Sequence, residues 1–121
     1  MFDIDYFKNV NDNFGHDVGD KVLVQIANIV ENTIRKGDVL ARWGGEEFML
    51  IVMEDKEHAV VLAEKLRVKI QNHKFANIGG ITCSFGVTRF EKRDTFDSLM
   101  KRVDEKLYMA KESGRNRVIA D

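Results

Sequence analysis

Two adjacent glycines stand between two apolar runs in this chain. The order is Asp38-Val-Leu-Ala, then Arg42-Trp43-Gly44-Gly45-Glu46-Glu47-Phe48, then Met49-Leu-Ile-Val-Met. Strand-like runs joined through Gly-Gly predict a tight hairpin, because both central turn positions can take positive φ without a Cβ clash. Two carboxylates follow directly on the predicted tip. They add no packing there, so they ask for a partner, and a divalent cation is the natural one. A second acidic cluster, Asp3-Ile4-Asp5, offers further ligands. A glycine turn also lets a large anionic ligand approach the backbone closely. Metal plus phosphate is the first chemistry that these residues raise.

The 121 residues are enough for one domain with a real core. A net charge of −1 implies no bulk attraction to nucleic acid or anionic lipid, so neither a nucleic-acid partner nor direct membrane contact is expected. No apolar run approaches the ~20 residues of a membrane-spanning helix. The single cysteine, Cys83, excludes an internal disulfide and fits a reducing compartment. Met1-Phe2 leads straight into acidic residues, unlike a signal peptide, and a cytoplasmic location is expected.

Residues 1–4 read as a short strand closing at Asp3. Residues 5–14 read as a short helix stopped by Gly15, and His16–Asp20 as a polar turn. Leu23, Ile26, Ala27, Val30 and Ile34 form an apolar stripe that predicts an amphipathic helix over 20–35. Strands are expected at 39–43 and 47–53. A helix follows to about residue 72, with Ala59, Leu62, Ala63, Leu66 and Ile70 on one face. A strand is expected after Gly79-Gly80, a helix over 95–112 and a last strand at 118–120. The order β-α-α-β-β-α-β-α-β predicts an α/β (α+β) domain, a central mixed sheet flanked by helices.

Several constellations carry chemistry. Two-metal nucleotidyl transfer needs carboxylates that bridge cations about 4 Å apart, which Asp3, Glu46 and Glu47 could supply. Lys111 and Arg115 sit four residues apart at a helix end, where cations suit either the dipole or a phosphate. Asn11 and Asp20 could match the hydrogen-bonding edge of guanine, but by spacing alone capping and turn roles are the preferred reading. Arg35-Lys36-Gly37-Asp38 reads as an ordinary helix end. His16 reads as a turn residue, and no His/Cys zinc spacing exists.

These residues resemble a family. Arg42-Trp-Gly-Gly-Glu-Glu-Phe48 is similar to the signature of GGDEF domains, the diguanylate cyclases, in its GGEEF form. Phe2-Asp-Ile-Asp-Tyr-Phe-Lys-Asn-Val-Asn-Asp-Asn-Phe-Gly-His-Asp-Val-Gly-Asp20 is similar to the family block D-I-D-x-F-K-x-x-N-D-x-x-G-H-x-x-G-D. Ser84-Phe-Gly-Val87 and Ala110-Lys-Glu-Ser-Gly-Arg-Asn116 resemble two further blocks, S-x-G-[VI] and A-K-x-x-G-R-N. The resemblance implies a palm-like fold akin to nucleotidyl cyclases. It implies condensation of two GTP to cyclic di-GMP and two pyrophosphates, in a homodimer with one GTP per subunit.

The resemblance also implies roles by residue. Asp3, the Ile4 carbonyl, Glu46 and Glu47 would hold two Mg²⁺ or Mn²⁺ ions per active site. Glu46 would assist deprotonation of the ribose 3′-hydroxyl. Asn11 and Asp20 would read guanine. Phe7 and Lys8 would contact the phosphates with Lys111 and Arg115, and Arg42 would act at the dimer face. Arg35 and Asp38 would form an inhibitory site for the cyclic di-GMP product, with Arg67 as a helper. Family domains open further upstream, with a helix and the start of the first strand. The chain is therefore expected to carry a domain cut at its N-terminus, prone to self-association through exposed strand edges. The competing readings are a non-catalytic module that binds GTP or cyclic di-GMP and a structural dimerisation domain. The latter leaves the acidic tip unexplained.

Overall fold

A computed structural model describes residues 1–121. Its elements are β1 (Phe2–Ile4), α1 (Phe7–Phe14), α2 (His16–Glu31), β2 (Val39–Gly44), β3 (Glu47–Ile51), α3 (Lys56–Asn72), β4 (Cys83–Val87), α4 (Phe96–Glu112) and β5 (Val118–Ala120). The expected element order is observed. The strands form one five-stranded sheet in the order β2-β3-β1-β4-β5. β1 runs antiparallel to both β3 and β4, whereas β4 and β5 are parallel. The sheet is therefore mixed.

Alternation along the central strands assigns the two faces. Phe2 and Ile4 point to one side. The Phe2 ring stacks between Phe48 and Phe85, with centroids 5.0 and 4.8 Å away. α2 delivers Val22, Ile26 and Val30 to this core, and α3 delivers Leu66 and Ile70, all fully buried. α4 covers the other face through Val103 and Leu107. It comes so close to β4 that a Cβ on Gly86 would lie 2.4 Å from the Leu107 nitrogen and 2.8 Å from the Val103 carbonyl oxygen. α3 and α4 begin at side-chain caps. Asp55 accepts from the His58 N–H, and Thr95 forms a capping box with Ser98. No helix is long and apolar enough to cross a membrane. Past Phe2, an apolar groove of about 350 Å³ opens between β3 and β4, with Met49, Ile51, Val87, Phe90 and Met100 among its walls.

Three local expectations need correction. His16–Asp20 is not a polar turn but the start of α2. Gly15, at φ +91°, makes the whole break between α1 and α2 by itself, and the Gly19 N–H bonds back to the Gly15 carbonyl at 3.1 Å. Asp3 does not close its strand; it sits in the middle of β1, paired on both sides. The hairpin tip is Gly45-Glu46 rather than Gly44-Gly45. Gly44 pairs with Glu47, the ladder slips between Arg42 and Gly44, and of the two glycines only Gly45 has positive φ.

Candidate active site

A row across three strands forms the floor of the site. Asp3 pairs with Glu47 on β3 and with Ser84 on β4. Directly opposed residues project to the same face, so two carboxylates and a hydroxyl stand side by side beneath α4. Asp3 is only 3% exposed, while Glu46 and Glu47 are partly open to solvent. Lys111, in the last turn of α4, sets its ammonium on Oδ2 of Asp3. The Asp3 carboxyl is raised to about 6, chiefly by burial. The charges of Glu46 and Glu47 add to that rise, and Lys111 opposes it. The ammonium is the only counter-charge that this buried group has, and an added cation would relieve all three acids.

The hairpin tip is fastened to the end of β1. The Ile4 N–H donates to the Glu46 carbonyl at 3.3 Å, and the Arg42 Nε donates to the Gly45 carbonyl at 2.9 Å. In front of the tip lies a polar cleft of about 290 Å³. It brings together Phe7, Lys8 and Asn11 from α1, Asp20 from α2, and Arg42 and Glu46 from the hairpin. The volume falls at the low end of small-molecule pockets, roughly 300–1,000 Å³, and suits a planar base better than a whole nucleotide. Asn11 Oδ1 is buried with no hydrogen-bond partner. Asp20 and Lys8 are exposed, so their charges are available to a ligand.

The remaining predicted residues lie outside the cleft. Arg115 adopts φ +61° and stacks its guanidinium 4.7 Å from the Tyr6 ring centroid. Asp38 engages both carboxylate oxygens with backbone amides, accepting from the Arg35 N–H in its own loop and from the Met53 N–H beyond β3 at 3.0 Å each. The Arg35 side chain reaches Glu54 at 2.9 Å on the surface. Arg67 does not join them, contrary to its expected role as helper. Its guanidinium is held by Glu64, Gln71 and Asn116.

The donor set suits a hard divalent cation in kind, since it consists of carboxylate and carbonyl oxygens around an under-compensated buried charge. It is not assembled in advance: no three His, Cys, Asp or Glu side chains converge at metal-binding distance. Sequence reasoning missed the role of Asp5. This buried carboxylate accepts from Thr82 Oγ1 at 2.7 Å, Ser84 Oγ at 2.6 Å and the Asn116 N–H at 3.0 Å. It thereby ties the loop that carries Arg115 to the sheet. The available signal was Thr82-x-Ser84, two hydroxyls at strand period on one face.

This geometry defines a class: an α+β domain whose central strand and glycine hairpin set acidic groups beside a base-sized cleft. The family model "Diguanylate cyclase, GGDEF domain" matches residues 1–117, and the chain belongs to that family. It is 44% identical over 121 residues to Diguanylate cyclase DgcM of Escherichia coli K12, covering 99% of this chain and 30% of that protein. The chain thus spans less than a third of that relative's length. Among solved structures, the active GGEEF domain of a diguanylate cyclase from Vibrio cholerae matches with a TM-score of 0.90 at 37% identity, covering 98% of this chain and 78% of that one. The GGDEF domain of DgcB from Caulobacter crescentus, solved in complex with c-di-GMP, matches with a TM-score of 0.89 at 33% identity, covering 98% and 74%. The α+β fold expected from the sequence is the fold of these domains.

Proposed function

We propose that this domain condenses two GTP into cyclic di-GMP and two pyrophosphates, with two copies facing each other and one GTP held by each. The observation that carries this reading is the cleft, where Asn11 and Asp20 meet Lys8 and Glu46 within one base-sized space. The Asn11 amide and the Asp20 carboxylate complement the O6 acceptor and the N1–H and N2–H₂ donors of guanine. Lys8 and the backbone at Phe7 take the phosphates. Lys111 exchanges Asp3 for a phosphate oxygen, and Arg115 joins it from the tethered loop. Arg42 braces the tip at the face between copies.

In each half-reaction the ribose 3′-oxygen of one GTP bonds to the α-phosphorus of the other. The bond from that phosphorus to the bridging oxygen of pyrophosphate breaks, and Glu46 receives the 3′-hydroxyl proton. Two Mg²⁺ or Mn²⁺ ions, held by Asp3, the Ile4 carbonyl, Glu46 and Glu47, would supply charge stabilisation at the phosphates. Arg35 and Asp38 hold the guanine and phosphate of the product, so cyclic di-GMP inhibits its own synthesis.

A second reading is a module that holds GTP or cyclic di-GMP without turnover. The Lys111 ammonium on Asp3, at the place a metal would take, favours it. Glu47→Gln separates the two. Under the first reading it lowers GTP turnover by about 100-fold or more and leaves the melting temperature unchanged. Turnover retained in that variant contradicts the role given to Glu47.

A further inference from the structure

Gly19 lies in the first turns of α2 and is buried, yet its backbone is ordinary helix, so conformation does not call for glycine there. Space does. A Cβ at this position would stand 1.9 Å from Asn11 Oδ1, 3.1 Å from Asn11 Cγ and 3.2 Å from Phe7 Cζ. All three atoms belong to side chains. The fold can accept a methyl group by letting the Asn11 side chain swing away, but Asn11 cannot then keep its place.

Asn11 Oδ1 is also the buried side-chain oxygen that finds no partner. A planar amide can exchange its O and NH₂ by a half-turn, so one end of a buried amide is left free against α2. Glycine is among the weakest helix formers, and an unpaired buried polar atom is unfavourable. Two local penalties meet at one point beside Asp20 and Phe7, on the wall of the cleft. Neither helps the fold, which is the pattern expected where a site overrides local preference.

We propose that Gly19 is the positioning residue for base selection: its missing Cβ seats the Asn11 amide so that the cleft takes a 6-oxo-2-aminopurine and rejects a 6-aminopurine. This rests on the GTP-binding reading above. A side chain at position 19 would push the amide into the space that the base occupies.

The test is calorimetric titration with the α,β-methylene analogues of GTP and ATP, which bind without turnover. The proteins are the unmodified chain and its Gly19→Ala, Asn11→Ser and doubly substituted forms, each melted in parallel. Gly19→Ala is expected to keep its melting temperature, to bind the guanine analogue at least about tenfold more weakly and to bind the adenine analogue as before. The double variant is expected to bind no more weakly than Asn11→Ser alone, because a shortened residue 11 leaves nothing for the methyl to displace. Unchanged guanine affinity in Gly19→Ala overturns the inference, and so does equal weakening toward both nucleotides. Losses that multiply in the double variant, or an unfolded Gly19→Ala that Asn11→Ser restores, also overturn it. If the unmodified chain binds neither nucleotide, the function beneath it fails too. If that chain binds guanine and Gly19→Ala matches it, only the role of Gly19 fails.

Discussion

A carboxylate buried in the middle of a sheet is costly unless something positive faces it. Asp3 meets one such group, the Lys111 ammonium, and has two more acids close by. Lys111→Met should lower the melting temperature of the metal-free chain, since it removes the one group that holds the buried Asp3 carboxylate ionised. Mg²⁺ should then raise the melting temperature of the variant by more than it raises that of the unmodified chain, and EDTA should reverse both. Calorimetry with and without MgCl₂ checks this, and equal Mg²⁺ effects would argue that Asp3 is not a ligand. Asp94 offers a contrasting case. The Arg102 guanidinium first, then the Glu91 N–H and the Ser98 hydroxyl, hold its carboxyl well below the usual carboxylate range. A depressed folded pKa gives stability that is complete above the unfolded value, about 3.9, and is lost as pH falls through the folded one. Asp94→Asn should therefore melt lower than the unmodified chain at pH 5–8, with the gap closing below about pH 4. Melts by circular dichroism across pH 3–7 read this directly. The acids themselves were visible in the sequence. The Asp3–Glu47 adjacency was not, because register between β1 and β3 depends on contacts more than forty positions apart along the chain.

Elements were read well wherever periodicity was strong. Leu23, Ile26, Ala27 and Val30 lie in α2, while Ile34 falls beyond its end at Glu31; the stripe of α3, the helix expected over 95–112 and the strand at Ser84-Phe-Gly-Val87 are in the structure. The misreadings fell where glycine has more than one meaning. Gly19 looked like punctuation and is a close-contact position inside a helix. Gly44 looked like a turn residue and is the end of a strand. Gly86 looked like part of a motif and is where α4 lies against β4. Gly86→Ala should cost roughly 1–3 kcal/mol, because the added methyl meets helix backbone that cannot turn aside. Gly80→Ala, with nothing within 4 Å, should cost almost nothing. Chemical denaturation of both variants tests the pair. Equal stability would mean that α4 is free to shift, and with it the hold of Lys111 on Asp3.

At the scale of the molecule, sequence patterns supported a mixed sheet flanked by helices but not its strand order. Placing β1 between β3 and β4 is what joins Asp3 to the hairpin and to Ser84. On the function proposed above, the cleft of one chain would take one base and part of its phosphate chain. Under that proposal, condensation of two GTP requires two chains. The most direct measurement is the rate of cyclic di-GMP formation from GTP and Mg²⁺, per chain, as protein concentration is raised, with nucleotides resolved by chromatography. Product is expected to appear, and the rate per chain to climb with concentration until the paired form dominates. GTP bound by the chain with no cyclic di-GMP at any concentration would contradict the proposed condensation and leave a nucleotide-binding module in its place.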